Sequence, residues 1–149
     1  MQLARDNYMY QMVRCELVDA VGAEFVNSGA ADALGHSIDY YWIPEMWHDR
    51  GREPQRPDFV VHPGSAGEVA KVMKIANQYG IPVTPWGGGS GSQGGALPVY
   101  GGIVLDMKRM NRVVEIDTRT LSVTCETGIN AQHLEWAVEK AGYSTMHFP

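Results

Sequence analysis

Residues 81–96 read IPVTPWGGGSGSQGGA, and this stretch decides how the chain folds. A short apolar run is followed directly by six glycines in ten positions. Glycines cluster where the backbone must adopt a positive φ angle or lie very close to another group. A Gly/Ser-rich stretch is also typical of a flexible linker between two modules. The residues on either side of the glycines decide which interpretation applies.

The residues before the glycines predict a β-α-β unit over residues 58–84. Phe59–Val61 has the composition of a short buried strand, and Ser65 with Glu68 three residues later forms a capping box at a helix start. A second strand is predicted at Ile81–Thr84, and we expect it to be parallel to the first through a right-handed crossover. The apolar stripe of the intervening helix consists of Val69, Val72, Met73 and Ala76.

The part of the chain before this unit predicts a helix and then a long ordered loop. Apolar residues recur every four positions over residues 10–26, which predicts an amphipathic helix ended by Asn27–Gly29. Residues 39–57 mix prolines, aromatics and charges, and predict the loop. Its aromatic rings either line a ligand site or hold the loop against the domain, and we expect the second role. These rings belong to Tyr40, Tyr41, Trp42 and Trp47.

Short strands and a last helix follow the glycines. Ile103–Leu105 is an apolar run typical of a buried strand. Residues 113–116 and 121–125 predict the two strands of a β-hairpin, because turn residues separate them. Asn130 predicts the N-cap of a helix that ends at Gly142. The glycines therefore lie inside one compact unit, where a floppy linker would cost the short strands their register.

The glycine stretch must then bind or pack against another group. Gly89–Gly94 matches the G-x-G-x-x-G dinucleotide fingerprint, but that motif requires a helix directly after it, and this sequence continues as a loop into a strand. A P-loop is excluded because no Gly-Lys-Ser/Thr is present. Successive backbone N–H groups can instead form a nest that binds an anion, with Ser90 and Ser92 as further donors. In this interpretation an acidic chain holds a pyrophosphate without a lysine or arginine.

Composition narrows the class of protein. The chain has 149 residues, a net charge of -5 and 19% charged residues, which is typical of one soluble globular domain and argues against a nucleic-acid binder. No apolar run is long enough for a membrane span, and the first residues lack the features of a signal peptide. Cys15 and Cys125 fit neither a metal site nor a disulfide framework. We expect a cytoplasmic protein with no metal site.

The order of residues from about Glu16 to Pro149 resembles a known family. Its most specific parts are the P-x-G-G-G-S loop that begins at Pro85, the run GGIVLDMKRMNRVVEID at residues 101–117, and Glu126–Gly128. Together these parts resemble the FAD-binding domain of the vanillyl-alcohol-oxidase type. Within that type the chain is similar to the flavin subunits of glycolate oxidases, to D-lactate dehydrogenases and to alkyldihydroxyacetonephosphate synthases.

The resemblance implies an α+β fold in which two small sheets and flanking helices pack around FAD, truncated before the second half of the domain. Residues 1–57 are then an N-terminal helix with a proline- and aromatic-rich lead-in loop, and residues 58–149 are the N-terminal part of the FAD-binding domain. The resemblance places the FAD pyrophosphate against one loop. The residues of this loop are Pro85, Trp86, Gly87, Gly88, Gly89, Ser90, Gly91 and Ser92.

The resemblance also implies a function. We expect the FAD-binding part of a flavin-dependent oxidoreductase that acts on a 2-hydroxy acid or a similar alcohol. The small-molecule substrate is expected to contact mainly a C-terminal domain absent from this chain, so no catalytic residue is named and the chain alone is expected to be inactive. Exposed apolar surface would favour self-association or a partner subunit. Two alternatives stay open, namely a non-redox flavin enzyme of the alkyldihydroxyacetonephosphate synthase type and a flavin-free scaffold.

The glycine loop departs from the commonest family pattern in two places. Trp86 stands where an arginine or an aliphatic residue is frequent, and Ser90–Ser92 stands where Thr-Ser and an aliphatic residue are usual. Both departures keep small donors near the phosphates. Some relatives tether FAD covalently through a histidine in this loop, and the matching position here is Ser90. The resemblance therefore implies non-covalent FAD.

Several other polar residues have a structural and a functional interpretation, and we expect the structural one in each case. Asp106 is expected to cap the tight turn at Met107–Asn111, and Cys125 to be a buried, inert thiol. Arg109 and Arg112 are expected to belong to a solvated face or to form local ion pairs. The histidines expected to lie on the surface or in packing positions are His62, His133 and His147.

Overall fold

The computed structural model of the protein describes residues 8–147. The described residues do not include 1–7 or 148–149. The two predicted domain ranges, 1–57 and 58–149, therefore lie partly outside the described residues, and so does the start of the chain. The described helices are α1 (Tyr8–Val21), α2 (Ala30–Gly35), α3 (Trp42–Asp49), α4 (Ala66–Tyr79) and α5 (Ala131–Glu139). The described strands are β1 (Val26–Asn27), β2 (Phe59–Val61), β3 (Val83–Trp86), β4 (Ile103–Asp106), β5 (Val113–Asp117) and β6 (Ser122–Cys125).

Two separate sheets organise these elements. The larger sheet has the strand order β1-β2-β4-β3, in which β2 and β3 are both parallel to β4, and β1 is an antiparallel edge. The smaller sheet is the antiparallel pair β5-β6. The predicted β-α-β unit is therefore present as β2-α4-β3, and β4 lies between its two strands. The α+β fold with two small sheets is confirmed.

The central strand β4 is buried on both faces of the larger sheet. On one face, α1 and α4 cover the sheet, and Leu17 and Val72 join Phe59 in the main core. On the other face, Val60 and Val104 pack with Trp86. Removing these aliphatic and aromatic side chains from water is the main force that holds the sheet to its helices. Trp86, the last residue of β3, is thereby packed in the core. The glycine loop therefore begins directly after a residue with a fixed position.

The start of α4 is capped as predicted. The Glu68 backbone N–H donates to Ser65 Oγ at 3.2 Å, and Glu68 Oε2 accepts from the Gly64 backbone N–H at 2.8 Å. The carboxylate thus satisfies the amide one residue before the cap, rather than that of Ser65 itself. Met73 of the predicted apolar stripe is 39% exposed, and Ile75 takes its place in the core.

The first helix ends earlier than predicted. Gly22 follows α1 with a φ of 100°, which an α-helix cannot include, so the helix ends at Val21. Phe25, which the four-residue spacing had placed in the helix, lies in a 3-10 turn at Ala23–Phe25. Asn27, predicted as part of the helix stop, belongs to the edge strand β1.

The prediction of a loop throughout residues 39–57 was wrong, because α3 lies within this segment. Pro44 falls in the first turn of α3, where backbone N–H groups have no partner within the helix, so proline is tolerated there. The proline and aromatic content of residues 39–57 therefore led to the wrong prediction of a loop at α3. The side chains of Tyr40 and Trp42 are 78% and 62% exposed, so these rings do not hold the segment against the domain as expected.

The elements after the glycine loop follow the sequence predictions closely. β5 and β6 form the hairpin, and Asp117 Oδ1 accepts from the Arg119 backbone N–H at 2.9 Å in its turn. Asn130 caps α5, because its Oδ1 accepts from the Gln132 backbone N–H at 2.9 Å. The helix ends at Glu139, before the predicted Gly142.

Candidate functional site

Two parallel strands end side by side where the glycine loop begins. Trp86 of β3 and Asp106 of β4 are partners in the register, so Gly87 and Met107 leave the sheet at the same edge. The chain forms neither helix nor strand between Trp86 and Ile103, as expected for a nest without a following helix. In open parallel sheets, ligands bind in the crevice outside the carboxyl ends of the strands.

Two glycines of the loop are required by the packing of the protein itself. Gly89 has a φ of 66°, and a Cβ at this position would lie 2.5 Å from the ring of Trp86. The Gly89 carbonyl also accepts from the Tyr40 backbone N–H at 2.9 Å. Gly94 has a φ of 75°, and its Cβ would lie 3.0 Å from the ring of Tyr41. These two positions shape the loop and hold it against the segment before α3.

Other glycines of the loop have no such explanation. A Cβ on Gly87 or Gly91 would meet no described atom within 4 Å, and one on Gly88 would meet only Ser90 Oγ at 3.9 Å. None of these three residues has a positive φ angle. Their backbone is therefore bare on a side that the described residues leave open, which suits the close approach of a ligand.

A second wall faces the glycine loop. The chain leaves β6, and the Glu126 and Gly128 backbone N–H groups donate to the carbonyls of Arg112 and Met110, both at 2.8 Å. Gly128 lies so close to the Met107 carbonyl that a Cβ would overlap its oxygen. The turn that carries Thr127 and Gly128 is thereby held beside the end of β4, and α5 begins directly after it.

The two walls enclose a cavity of ≈ 430 Å³. Of the eight loop residues predicted to wrap the pyrophosphate, three line this cavity, and the assignment of all eight to FAD stays a prediction. The first wall contributes Gly87, Gly88 and Ser90, and the rest of the lining consists of Lys108, Thr127, Gly128, Ile129, Asn130 and Ala131. We call this cavity the cradle. Its second wall and Lys108 were not predicted as site residues.

Lys108 connects the cradle to a buried carboxylate. Asp106 is fully buried and caps the 3-10 turn Met107–Arg109, because its Oδ1 accepts from the Lys108 backbone N–H at 3.0 Å. Its Oδ2 lies 2.8 Å from Lys108 Nζ, 3.1 Å from His36 Nε2 and 3.5 Å from His62 Nδ1. Burial raises the pKa of the Asp106 carboxyl, but the hydrogen bonds from His36 and Lys108 outweigh it and lower the pKa to about 2. The expected cap is confirmed, and it is also the centre of an ion-pair cluster.

His36 joins this cluster through both of its ring nitrogens. Its Nδ1 lies 2.8 Å from the Asp32 carbonyl oxygen and its Nε2 lies 3.1 Å from the Asp106 carboxylate. Both oxygens can only accept, so His36 donates to both of them only in its protonated form. Burial lowers the pKa of His36, but these hydrogen bonds outweigh it and raise the pKa above 6.5. No sequence motif marks His36, which reaches Asp106 from 70 positions away.

The two predicted arginines form local ion pairs, as expected. Arg109 Nη1 donates to the His62 carbonyl at 2.6 Å and lies 3.5 Å from Glu68 Oε2, and its guanidinium stacks on the ring of Phe25 at 3.3 Å. Arg112 Nη2 lies 2.6 Å from a carboxylate oxygen of Glu126. Both guanidinium groups are therefore engaged within the protein.

The remaining predictions on single residues have mixed outcomes. His133 and His147 are exposed, as expected for surface histidines. His62 is half-buried beside Asp106, and burial lowers its pKa. Cys125 is only partly buried, because β6 belongs to the small sheet, which is open to solvent along much of its length.

Comparison with known families assigns a cofactor to this geometry. Residues 57–149 match the family described as FAD binding domain. The chain belongs to that family. FAD is therefore the cofactor of this FAD-binding domain, as the sequence resemblance implied.

Curated relatives of the FAD-binding domain are much longer proteins. The domain is 35% identical over 130 residues to a glycolate oxidase subunit of Bacillus subtilis, covering 87% of this chain and 26% of that protein. It is 36% identical over 110 residues to an uncharacterised FAD-linked oxidoreductase of Mycobacterium tuberculosis, covering 72% and 24%. It is 34% identical over 102 residues to an alkyldihydroxyacetonephosphate synthase of Dictyostelium discoideum, covering 66% and 17%. The chain thus spans about a quarter or less of these relatives.

Solved structures show the same fold. An alkyldihydroxyacetonephosphate synthase superposes on the FAD-binding domain with a TM-score of 0.86 at 26% identity, covering 99% of this chain and 28% of that chain. The 4-ethylphenol oxidase from Gulosibacter chungangensis superposes with a TM-score of 0.73 at 28% identity, covering 90% and 25%. The fold of the vanillyl-alcohol-oxidase type is confirmed.

The chemistry of the cradle fits an anionic group of FAD. Among the described lining residues none is acidic, and they include two residues with hydroxyl groups, Ser90 and Thr127, and one cationic residue, Lys108. The bare backbone of Gly87 and Gly88 lies beside these donors. Hydroxyl, ammonium and backbone N–H groups are the donors that phosphate oxygens accept from.

Within residues 8–147, every helix is too short or too polar to cross a lipid bilayer. Three expectations from the sequence stay predictions. They are the cytoplasmic compartment, the domain boundary between residues 57 and 58, and self-association or binding of a partner subunit.

Proposed function

We propose that the cradle holds the diphosphate of FAD, and that the protein is an FAD-dependent oxidoreductase acting on a 2-hydroxy acid or a similar alcohol. The main observation for this site is the backbone of Gly87 and Gly88, which lines a cavity together with hydrogen-bond donors. The packing of the protein itself does not require glycine at either position. The family supports the cofactor. Relatives named glycolate oxidase and D-lactate dehydrogenase support the substrate class.

In this proposal the chain binds and orients the cofactor. Bound FAD supplies a flavin ring that accepts a hydride from a substrate carbon. Backbone N–H groups of the glycine loop and the Ser90 hydroxyl donate to the diphosphate, and the Asn130-capped start of α5 lines the opposite wall. FAD is held without a covalent bond, since Ser90 offers no histidine tether. Substrate binds mainly outside residues 1–149, so these residues alone are inactive; the greater length of the relatives supports this.

We expect Gly87→Val in the full-length protein to weaken FAD binding about tenfold or more. The new side chain occupies the side of the backbone that a phosphate must approach, and a lost charge-assisted hydrogen bond accounts for a change of this size. The Cβ meets no described atom within 4 Å, so the fold is expected to survive. The measurement is a titration of apoprotein with FAD, followed by flavin fluorescence, with the melting temperature recorded beside it.

The matched control is Gly95→Val. Gly95 lies in the same loop and has an equally open Cβ position, but does not line the cradle. The control is expected to bind FAD like the parent protein. Equal FAD affinity in both variants would contradict the proposed site. Gly89→Val is a poor test, because its Cβ would collide with Trp86 whether or not FAD binds.

A second candidate function has an observation in its favour. The alkyldihydroxyacetonephosphate synthase structure covers 99% of the chain, which fits a non-redox flavin enzyme as well. Anaerobic addition of D-lactate or glycolate to the full-length holoprotein separates the two candidates. Under our proposal the substrate reduces the flavin, and its visible absorbance is expected to bleach. An absorbance that stays unchanged with both compounds, while the alkyldihydroxyacetonephosphate synthase reaction proceeds, would favour the second candidate.

A further inference from the structure

Lys108 is the single charged side chain among the described residues that line the cradle. It follows β4 by two residues, so the strand and the turn fix where its backbone lies. Its side chain is 56% exposed, and the ammonium group lies 2.8 Å from Asp106 Oδ2. A cationic residue is thereby fixed in the lining of the cradle.

The other cations near this edge are engaged elsewhere. Arg109 is bound by the His62 carbonyl, Glu68 and the ring of Phe25, and Arg112 is bound by Glu126. Neither arginine lines the cradle. A dianionic group in the cavity would therefore be paired with Lys108 and not with either arginine.

Asp106 restrains Lys108 at two points. Its Oδ1 accepts the backbone N–H of Lys108 at 3.0 Å, and its Oδ2 accepts the ammonium group at 2.8 Å. A free lysine loses considerable rotamer entropy when a ligand orders it, and this restraint removes part of that cost before the ligand arrives. The same Asp106 oxygen also lies 3.1 Å from His36 Nε2, so the carboxylate is shared between Lys108 and His36. Below the folded-state pKa of His36, two cations around one carboxylate leave a net positive charge.

We propose that Lys108 donates to the diphosphate of FAD, and that Asp106 is a positioning residue that holds Lys108 for this contact. The proposal rests on the proposed function, since it requires the diphosphate to lie in the cradle. It replaces the sequence-based interpretation of a nest that works without a lysine. The contact is specific to dinucleotides and other phosphate-bearing ligands, and riboflavin lacks the group that Lys108 binds.

Lys108→Met in the full-length apoprotein tests the contact. FAD affinity is expected to fall about tenfold to a hundredfold, as for the loss of a hydrogen bond between charged groups, and to depend less steeply on salt concentration. Riboflavin affinity is expected to stay unchanged. The control is Lys74→Met, which removes an exposed lysine of α4 outside the cradle and is expected to leave both affinities unchanged.

A double-mutant cycle tests the role of Asp106. Asp106→Asn is expected to weaken FAD binding in the parent protein, but to have little further effect in the Lys108→Met background, because it acts through Lys108. A structural role alone would weaken FAD binding equally in both backgrounds, and that result would overturn the positioning role. Folding of each variant is checked by circular dichroism at the titration temperature.

The outcomes separate this proposal from the site assignment. One outcome is that Lys108→Met binds FAD with parental affinity and salt dependence while Gly87→Val binds it weakly. This result would show that Lys108 does not contact the diphosphate, and it would leave the cradle as the proposed diphosphate site. If both variants bind FAD like the parent, the diphosphate lies elsewhere and both proposals fall.

Discussion

Gly128→Ala is expected to lower the free energy of unfolding by ~3 kcal/mol and to weaken FAD binding at the same time. A Cβ on Gly128 would overlap the Met107 carbonyl oxygen and lie 2.8 Å from the Lys108 backbone nitrogen. Both are main-chain atoms, so no rotamer change relieves the collision. The turn must move away, which breaks the hydrogen bond from the Gly128 N–H to the Met110 carbonyl. That movement opens the cradle from its second wall.

Urea denaturation and FAD titration of the full-length protein measure the two effects of Gly128→Ala. Gly95→Ala serves as the control, because a Cβ at Gly95 has no described atom within 4 Å. It is expected to change neither quantity. Parental stability in the Gly128→Ala variant would mean that the turn does not pack on Met107 as the structure shows.

Asp106→Ala is expected to destabilise the protein by about 3 kcal/mol near pH 5.5. The substitution leaves the partly buried His36 ring and the Lys108 ammonium group without their shared acceptor. It also removes the cap of the 3-10 turn at Met107–Arg109. Asp19→Ala, at an exposed position of α1, is the matched control and is expected to have little effect.

The destabilisation by Asp106→Ala is expected to depend on pH. The folded-state pKa of Asp106 is about 2, below its ordinary value of 3.8, so its stabilisation is present above about pH 4 and is lost as the pH falls towards 2. The folded-state pKa of His36 is raised above 6.5, so its stabilisation is present below that value and is lost as the pH rises through the folded pKa. Both are present between about pH 4 and 6.5. Denaturation curves at about pH 5.5 and pH 8.5 should show the larger deficit at the lower pH, and an equal deficit at both would contradict the ion-pair cluster.

Local signals predicted much of the fold. Ser65 with Glu68 marks the start of α4, Asn130 marks the start of α5, and the turn at Asp117 separates β5 from β6. Each signal acts over three or four residues, so the sequence displays it directly. The errors are local as well. Gly22 ends α1 earlier than the apolar spacing predicts, and Pro44 lies in the first turn of a helix where its presence indicated a loop.

The site was predicted only in part, because its second half depends on distant contacts. The bare glycines mark one wall in the sequence. Lys108 reaches the same cavity only because β3 and β4 are parallel and in register at Trp86 and Asp106. Thr127 lines the cavity because its turn packs on the end of β4. His36 contacts Asp106, which is 70 positions away in the sequence. Pairing the two strands before assigning the site would have indicated Lys108, whereas nothing in the sequence pattern indicates His36.

The two walls of the cradle continue from different sheets, one from β3 and β4 and the other from β6 into α5. In the proposed site, a diphosphate that touches both walls is a non-covalent cross-link between the two sheets. Whatever free energy it contributes to binding is also added to the cost of separating the hairpin and α5 from the larger sheet. Local opening of the hairpin and α5 is then most frequent in the apoprotein. We therefore expect FAD bound at the proposed site to slow proteolysis of the protein.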